Sequence, residues 1–197
     1  MSRRVFLLSP ANCGGERAQL LFSPRAAFDL AVRLRGRGGV PLGEIMSFVS
    51  GLYFRGKLAY ASAFGVPLVI TPHAGLRPAE EPVTLARLRA AARVDIHDKN
   101  ARYRRPLLAS ARAVAAVLGP DDGVTLLGSI ASDKYVAALL EVFGERLTFP
   151  ADFVGRGDMS RGGLLLRCVR AGHELDYVPV AGAIRHGPRP PRLERVR

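Results

Sequence analysis

A chain of 197 residues, 48% of them hydrophobic and with a mean hydropathy of +0.11, is long enough to bury a core without staples, which excludes wholesale disorder. No apolar run approaches the ~20 residues that span a bilayer, and the basic start Met1 to Arg4 precedes too few apolar residues for a signal peptide. The expectation is one cytoplasmic α/β domain over 1–184 with a basic Pro/Arg-rich tail over 185–197, and no membrane partner.

Net charge is +12, from 29 basic against 17 acidic residues, and lysine occurs only at 57, 99 and 134. GC-rich coding accounts for arginine in place of lysine but not for the shortage of acids. A surplus of this size favours polyanions, so nucleic acid or a phosphorylated small molecule is the expected partner. Cys13 and Cys168 lie far apart with no metal-ligand spacing, and no metal or cofactor is expected.

In chain order, Val5 to Leu8 is an unbroken apolar run stopped by Ser9-Pro10, the pattern of a strand buried on both faces. Asn12-Cys13-Gly14-Gly15 follows, small residues that permit positive φ and an anion nest, with Arg17 close by. The alternative is an ordinary strand-to-helix turn, and for Cys13 a choice between a reactive thiol and a small filler residue. A helical turn is expected over 17–22 and an amphipathic helix over 25–35. A longer helical segment covers 44–64, with a break near Tyr53 to Gly56.

Val66 to Thr71 is the second strand, stopped by Pro72 and followed by His73, the favoured acid-base residue at the rim of a crevice. His97 and Asp98 lie in an irregular polar stretch. Thr84 is expected to cap a helix over 85–93, and Pro106 to open a helix over 107–118. Val124 to Leu127 is the third strand. It opens into Gly128, Ser129 and Ser132 before a helix from Asp133 to Phe143, a phosphate-binding arrangement or a plain Ser132 cap.

A short strand over 147–150 leads to the densest cluster of charge and glycine, Gly155-Arg156-Gly157-Asp158-Met159-Ser160-Arg161-Gly162-Gly163. Arg156, Gly157 and Arg161 suit a planar anion, and Asp158 is either a chemical group or a cap. An apolar helix over 164–169 and an edge strand within 174–180 complete the reading. Strand-helix alternation predicts a Rossmann-like α/β fold with a mostly parallel central sheet and helices on both faces. Ligands in such folds bind outside the carboxyl ends of the strands. No P-loop and no G-x-G-x-x-G after a strand occurs.

Leu8-Ser9-Pro10-Ala11, Leu52-Tyr53 to Tyr60 and Ile70 to Pro78 together are similar in order and spacing to the peroxide-stress YaaA family and related bacterial and phage proteins. The resemblance covers roughly the first 85 residues and implies an α/β fold and a DNA-associated role. Asn12 stands where that family has lysine, and Ala74 where an aromatic is usual. The functional expectation is a nucleic-acid-associated or nucleotide-binding protein with an anion-binding crevice. The alternatives are a hydrolase or glycosyl-bond-cleaving transferase on a nucleoside or nucleotide, using His73 or Asp158, and a scaffold that only binds a partner.

Overall fold

Val5 through Leu8 are all buried, consecutive side chains included, so both faces of this strand are covered. The computed structural model describes residues 4–191 and 193. The first strand, β1 (Arg4–Leu8), is followed by α1 (Glu16–Phe22), α2 (Asp29–Arg35), β2 (Val40–Pro41), α3 (Leu42–Ser50) and α4 (Leu52–Phe64). Then come β3 (Val66–Thr71), β4 (Gly75–Pro78), β5 (Pro82–Val83), α5 (Leu85–Ala92) and α6 (Ala101–Val117). The chain continues with β6 (Gly123–Leu127), α7 (Asp133–Phe143), β7 (Leu147–Pro150), α8 (Asp158–Ala171) and β8 (Tyr177–Pro179).

Among the described residues, six strands form one sheet in the order β4-β3-β1-β6-β7-β8. Strands β3, β1, β6 and β7 run parallel, and β4 and β8 are antiparallel edges. β2 and β5 pair separately. With helices on both faces, this is the mostly parallel, Rossmann-like sheet expected from the sequence. The chain leaves β1 toward β3 on one side and later crosses to β6 on the other. The direction of winding therefore reverses between β1 and β6, and a crevice opens there at the strand ends.

Several boundaries differ from expectation. The long helical segment breaks at Gly51, whose φ of 68° suits glycine, and not at 53–56. Gly56 instead lies inside α4, at its contact with α8. A Cβ there would stand 2.6 Å from the carbonyl oxygen of Gly162, and one on Gly162 would stand 2.8 Å from the Leu52 carbonyl oxygen. Helix α6 begins at Ala101, capped by Asn100, whose side chain accepts from the Arg102 amide. Pro106 is thus inside the helix and not at its first position. Helix α8 begins at Asp158, well before 164, and α2 begins at Asp29. The Thr84 cap is present, its hydroxyl accepting from the Arg87 amide.

The described part of the tail lies back on the domain. Arg185 pairs with Asp133 at 2.5 Å, and the Pro188 carbonyl oxygen would be 2.1 Å from a Cβ on Gly155. Arg192 and 194–197, the end of the expected basic tail, are outside the described residues. Among the described residues no helix is long and apolar enough to cross a membrane.

Candidate active-site crevice

The end of β1 carries Ser9 and Pro10, the end of β6 leads into Ser129, and Pro72 follows β3. These strand ends form the floor of a crevice of about 620 Å³. Tyr53 and Lys57 of α4 enter from one side, Ser132, Lys134 and Tyr135 from the start of α7, and Asp158 from the start of α8. The stretch from Ala91 to Ile96, including Arg93 and Asp95, forms a further wall.

Lys57 is a buried amine in the crevice wall. It projects from the buried stripe of α4 with Tyr53, Tyr60 and Ala61, and only 1% of its surface is exposed. Its Nζ donates to the Ser9 carbonyl oxygen at 2.7 Å and to Ser9 Oγ at 2.8 Å. It also lies 4.4 Å from the centre of the Tyr53 ring and 4.7 Å from that of Phe54. Burial brings its pKa down to about 7, with Arg161 contributing and Asp158 opposing. At neutral pH the amine therefore exists in both protonation states.

The surrounding groups are tightly placed. Tyr135 donates its hydroxyl hydrogen to the Ser129 carbonyl at 2.8 Å. Burial pushes its pKa up to about 12, against the pull of the Ser9 hydroxyl and Arg161. Gly128 makes the approach of these groups possible, because a Cβ on it would stand 2.7 Å from Ser9 Cβ and 2.9 Å from the Tyr135 oxygen. The Tyr53 hydroxyl is buried, and among the described residues its polar neighbour is the Arg161 guanidinium, which lies outside good hydrogen-bond geometry. Arg161 is near enough to favour its ionised form, but burial dominates and holds the phenol neutral.

Of the residues singled out from sequence, Asn12, Cys13, Gly14, Ser129, Ser132 and Asp158 line this crevice. The loop around Asn12 is built differently from a nest. Its glycines have no positive φ, the Gly14 amide donates to Asn12 Oδ1, and the Gly15 amide donates to the Asn12 carbonyl. These donors are already used. Cys13 is buried, and desolvation raises its thiol to about 12, the opposite of what a thiolate nucleophile needs. Ser132 occupies the N-cap position of α7 but makes no side-chain capping bond. Asp158 is the first residue of α8 and pairs with Arg161 at 3.3 Å, so Gly157, not Asp158, is the cap position.

The remaining candidates lie elsewhere. Gly15 and Arg17 are outside the crevice lining, and Arg17 donates to the Phe48 carbonyl. Gly128 sits beneath Ser9 without lining the crevice. Arg161 is buried, with Nε and Nη2 both donating to the Phe153 carbonyl. Arg156 and Gly157 line a separate hollow with Arg189 and Pro190, and Arg156 is engaged by the Asp152 carbonyl and Ser160 Oγ. His73 lines a small apolar pocket of about 180 Å³ with Met46, Val83 and Leu88. Its Nδ1 is buried without a hydrogen-bond partner among the described residues, and burial followed by Arg87 lowers its pKa.

Lys57 was not among the candidates read from sequence. Its signal was there: three lysines stand among 29 basic residues, and one falls four residues after Tyr53 on an apolar helical face. Two of the three, Lys57 and Lys134, line the crevice. Among the described residues no group of three metal-ligating side chains comes together. Compared with family models, with characterised proteins and with solved structures, the chain matches none.

Proposed function

We propose that the protein binds a phosphorylated small molecule of nucleotide size in the crevice between the ends of β1 and β6. The observation that carries this reading is the meeting of Lys134 and the uncapped start of α7 at the point where the sheet reverses its winding. First-turn amides and a helix dipole favour an anion, and lysine adds a point charge suited to phosphate. Asp133, which would repel an anion from the same helix end, is paired with Arg185. The volume of about 620 Å³ falls within the ~300–1,000 Å³ range of small-molecule sites and accommodates a mononucleotide.

Calorimetric titration with a nucleoside and its mono- and diphosphate at physiological salt tests the proposal. Phosphate should be required, and Lys134→Ala should weaken binding about tenfold, the loss expected of a charged hydrogen bond worth ~1.5 kcal/mol. Arg156→Ala, outside the crevice, should leave binding unchanged. Equal binding of the unphosphorylated nucleoside, or a silent Lys134→Ala, would refute the reading. Duplex DNA belongs in the same titration, since the resemblance to the YaaA family implies a DNA-associated role. Duplex binding would be recognised by a steep salt dependence.

A further inference from the structure

Phosphate binding uses the rim of the crevice and leaves its floor unexplained. There, Lys57 Nζ lies 2.8 Å from the hydroxyl of Ser9, which stands at the end of β1 facing the crevice. We infer that Ser9 and Lys57 form a nucleophile-base pair that hydrolyses a small carboxylic ester. The inference rests on the Ser9–Lys57 geometry and on the crevice that Ser9 and Lys57 both line.

Hydrogen-bond valence decides how the pair works. A lysine ammonium has three donors and no acceptor, so it donates to both Ser9 oxygens. A free amine has two hydrogens and one lone pair. It keeps its bond to the Ser9 carbonyl at 2.7 Å and accepts the Ser9 hydroxyl hydrogen along the same 2.8 Å line. Loss of one proton thus turns the serine hydroxyl from acceptor to donor toward Lys57, with the Tyr135 hydroxyl as its other polar neighbour. The two forms coexist near neutral pH because burial lowers the lysine. The charged groups that act on Lys57 are Asp158, which favours the ammonium, and Arg161, which opposes it.

In the first step Ser9 Oγ bonds to the ester carbonyl carbon as Lys57 Nζ takes the hydroxyl proton. The tetrahedral oxyanion collapses, the C–O bond to the leaving alcohol breaks, and the alkoxide takes the proton from Lys57. Water then attacks acyl-Ser9 with Lys57 as base, and the acid departs as the proton returns to Ser9 Oγ. Ester and water become acid and alcohol. Only a phosphorylated arm on the ester, held by Lys134, rests on the binding reading above.

The test uses a fluorophosphonate, from which Ser9 Oγ displaces fluoride, together with p-nitrophenyl acetate. Intact-mass analysis should show one adduct, mapped to Ser9 by peptide digestion and absent from Ser9→Ala. Lys57→Met should slow labelling by about 100-fold or more, as for loss of a general base, while its thermal transition stays cooperative. In the unmodified protein the labelling rate should rise with pH through about 7, which keeps the test decisive if Lys57→Met does not fold. No adduct on Ser9, an undiminished rate in a folded Lys57→Met, or a flat pH profile from ~6 to ~8.5 around the lysine's titration would overturn the inference. Labelling without nucleotide binding would keep the pair and remove only the phosphorylated arm.

Discussion

Replacing Gly56 by alanine tests whether the α4–α8 contact fixes the crevice. On propensity alone the change should help, since glycine inside a helix costs about 1 kcal/mol relative to alanine. The new Cβ, however, would stand 2.6 Å from the Gly162 carbonyl oxygen and 2.9 Å from Gly162 Cα. Both are backbone atoms of the partner helix, so no rotamer change relieves the overlap and the helices must separate. Overpacking typically costs ~1–3 kcal/mol, and a backbone obstacle puts this case at the upper end. Net destabilisation should therefore be about 2 kcal/mol, read as a lower urea midpoint at unchanged slope. For a chain of this size it corresponds to a Tm about 4–8 °C lower. Since α4 holds Lys57 and α8 holds Asp158, ligand binding should weaken as well. A raised midpoint in Gly56→Ala would mean that helix propensity wins and that the close crossing is not a constraint.

Stability should depend on pH through Lys57. Its folded pKa of about 7 lies below the ordinary 10.5, so above pH 7 the unfolded chain binds more protons than the folded one. The penalty of burial is thus fully present below pH 7 and relieved as pH rises, by at most ~1.4 kcal/mol per pH unit. Urea unfolding between pH 7 and 8.5 should show this rise in the native sequence and a flatter profile in Lys57→Met, and parallel profiles would refute the assignment. The upper limit keeps clear of Cys13, whose raised thiol pKa works in the opposite direction once the unfolded thiol ionises near 9.0. Gly128→Ala should cost about 1–3 kcal/mol through the overlap with Ser9 and Tyr135. It should also slow the labelling of Ser9, so a normal rate in this variant would show that Ser9 tolerates displacement.

The parallel strands were legible because burial on both faces leaves a continuous apolar run, as in Val5 to Leu8 and Val124 to Leu127. The crevice followed from them, since the loops after β1 and β6 meet where the winding reverses. Residues on helices were harder to read. Gly56 reads locally as a helix breaker, yet its role is set by Gly162, more than 100 residues later in the chain. Lys57 reads as surface charge until α4 is seen with Ser9 against its face. Arg156 and His73 have the residue types of a site, but the chain carries them to other hollows. Which neighbour a side chain meets depends on long-range packing, and no local pattern encodes it.

The position of β1 also governs how the chain must assemble as it is made. Of the strands of its sheet it comes earliest in chain order, and it lies inside the sheet, paired with β3 on one edge and β6 on the other. The register sets Arg4 against Gly123, 119 positions later. At ~5–20 residues per second a ribosome needs about 6–24 s to cover that distance. Until then, any β1–β3 pair leaves one edge of Val5 to Leu8 open, apolar and ready to accept a foreign strand. A nascent chain stalled before Gly123 should therefore aggregate or engage a holdase chaperone, whereas one released after Leu147 has both neighbours of β1 in place.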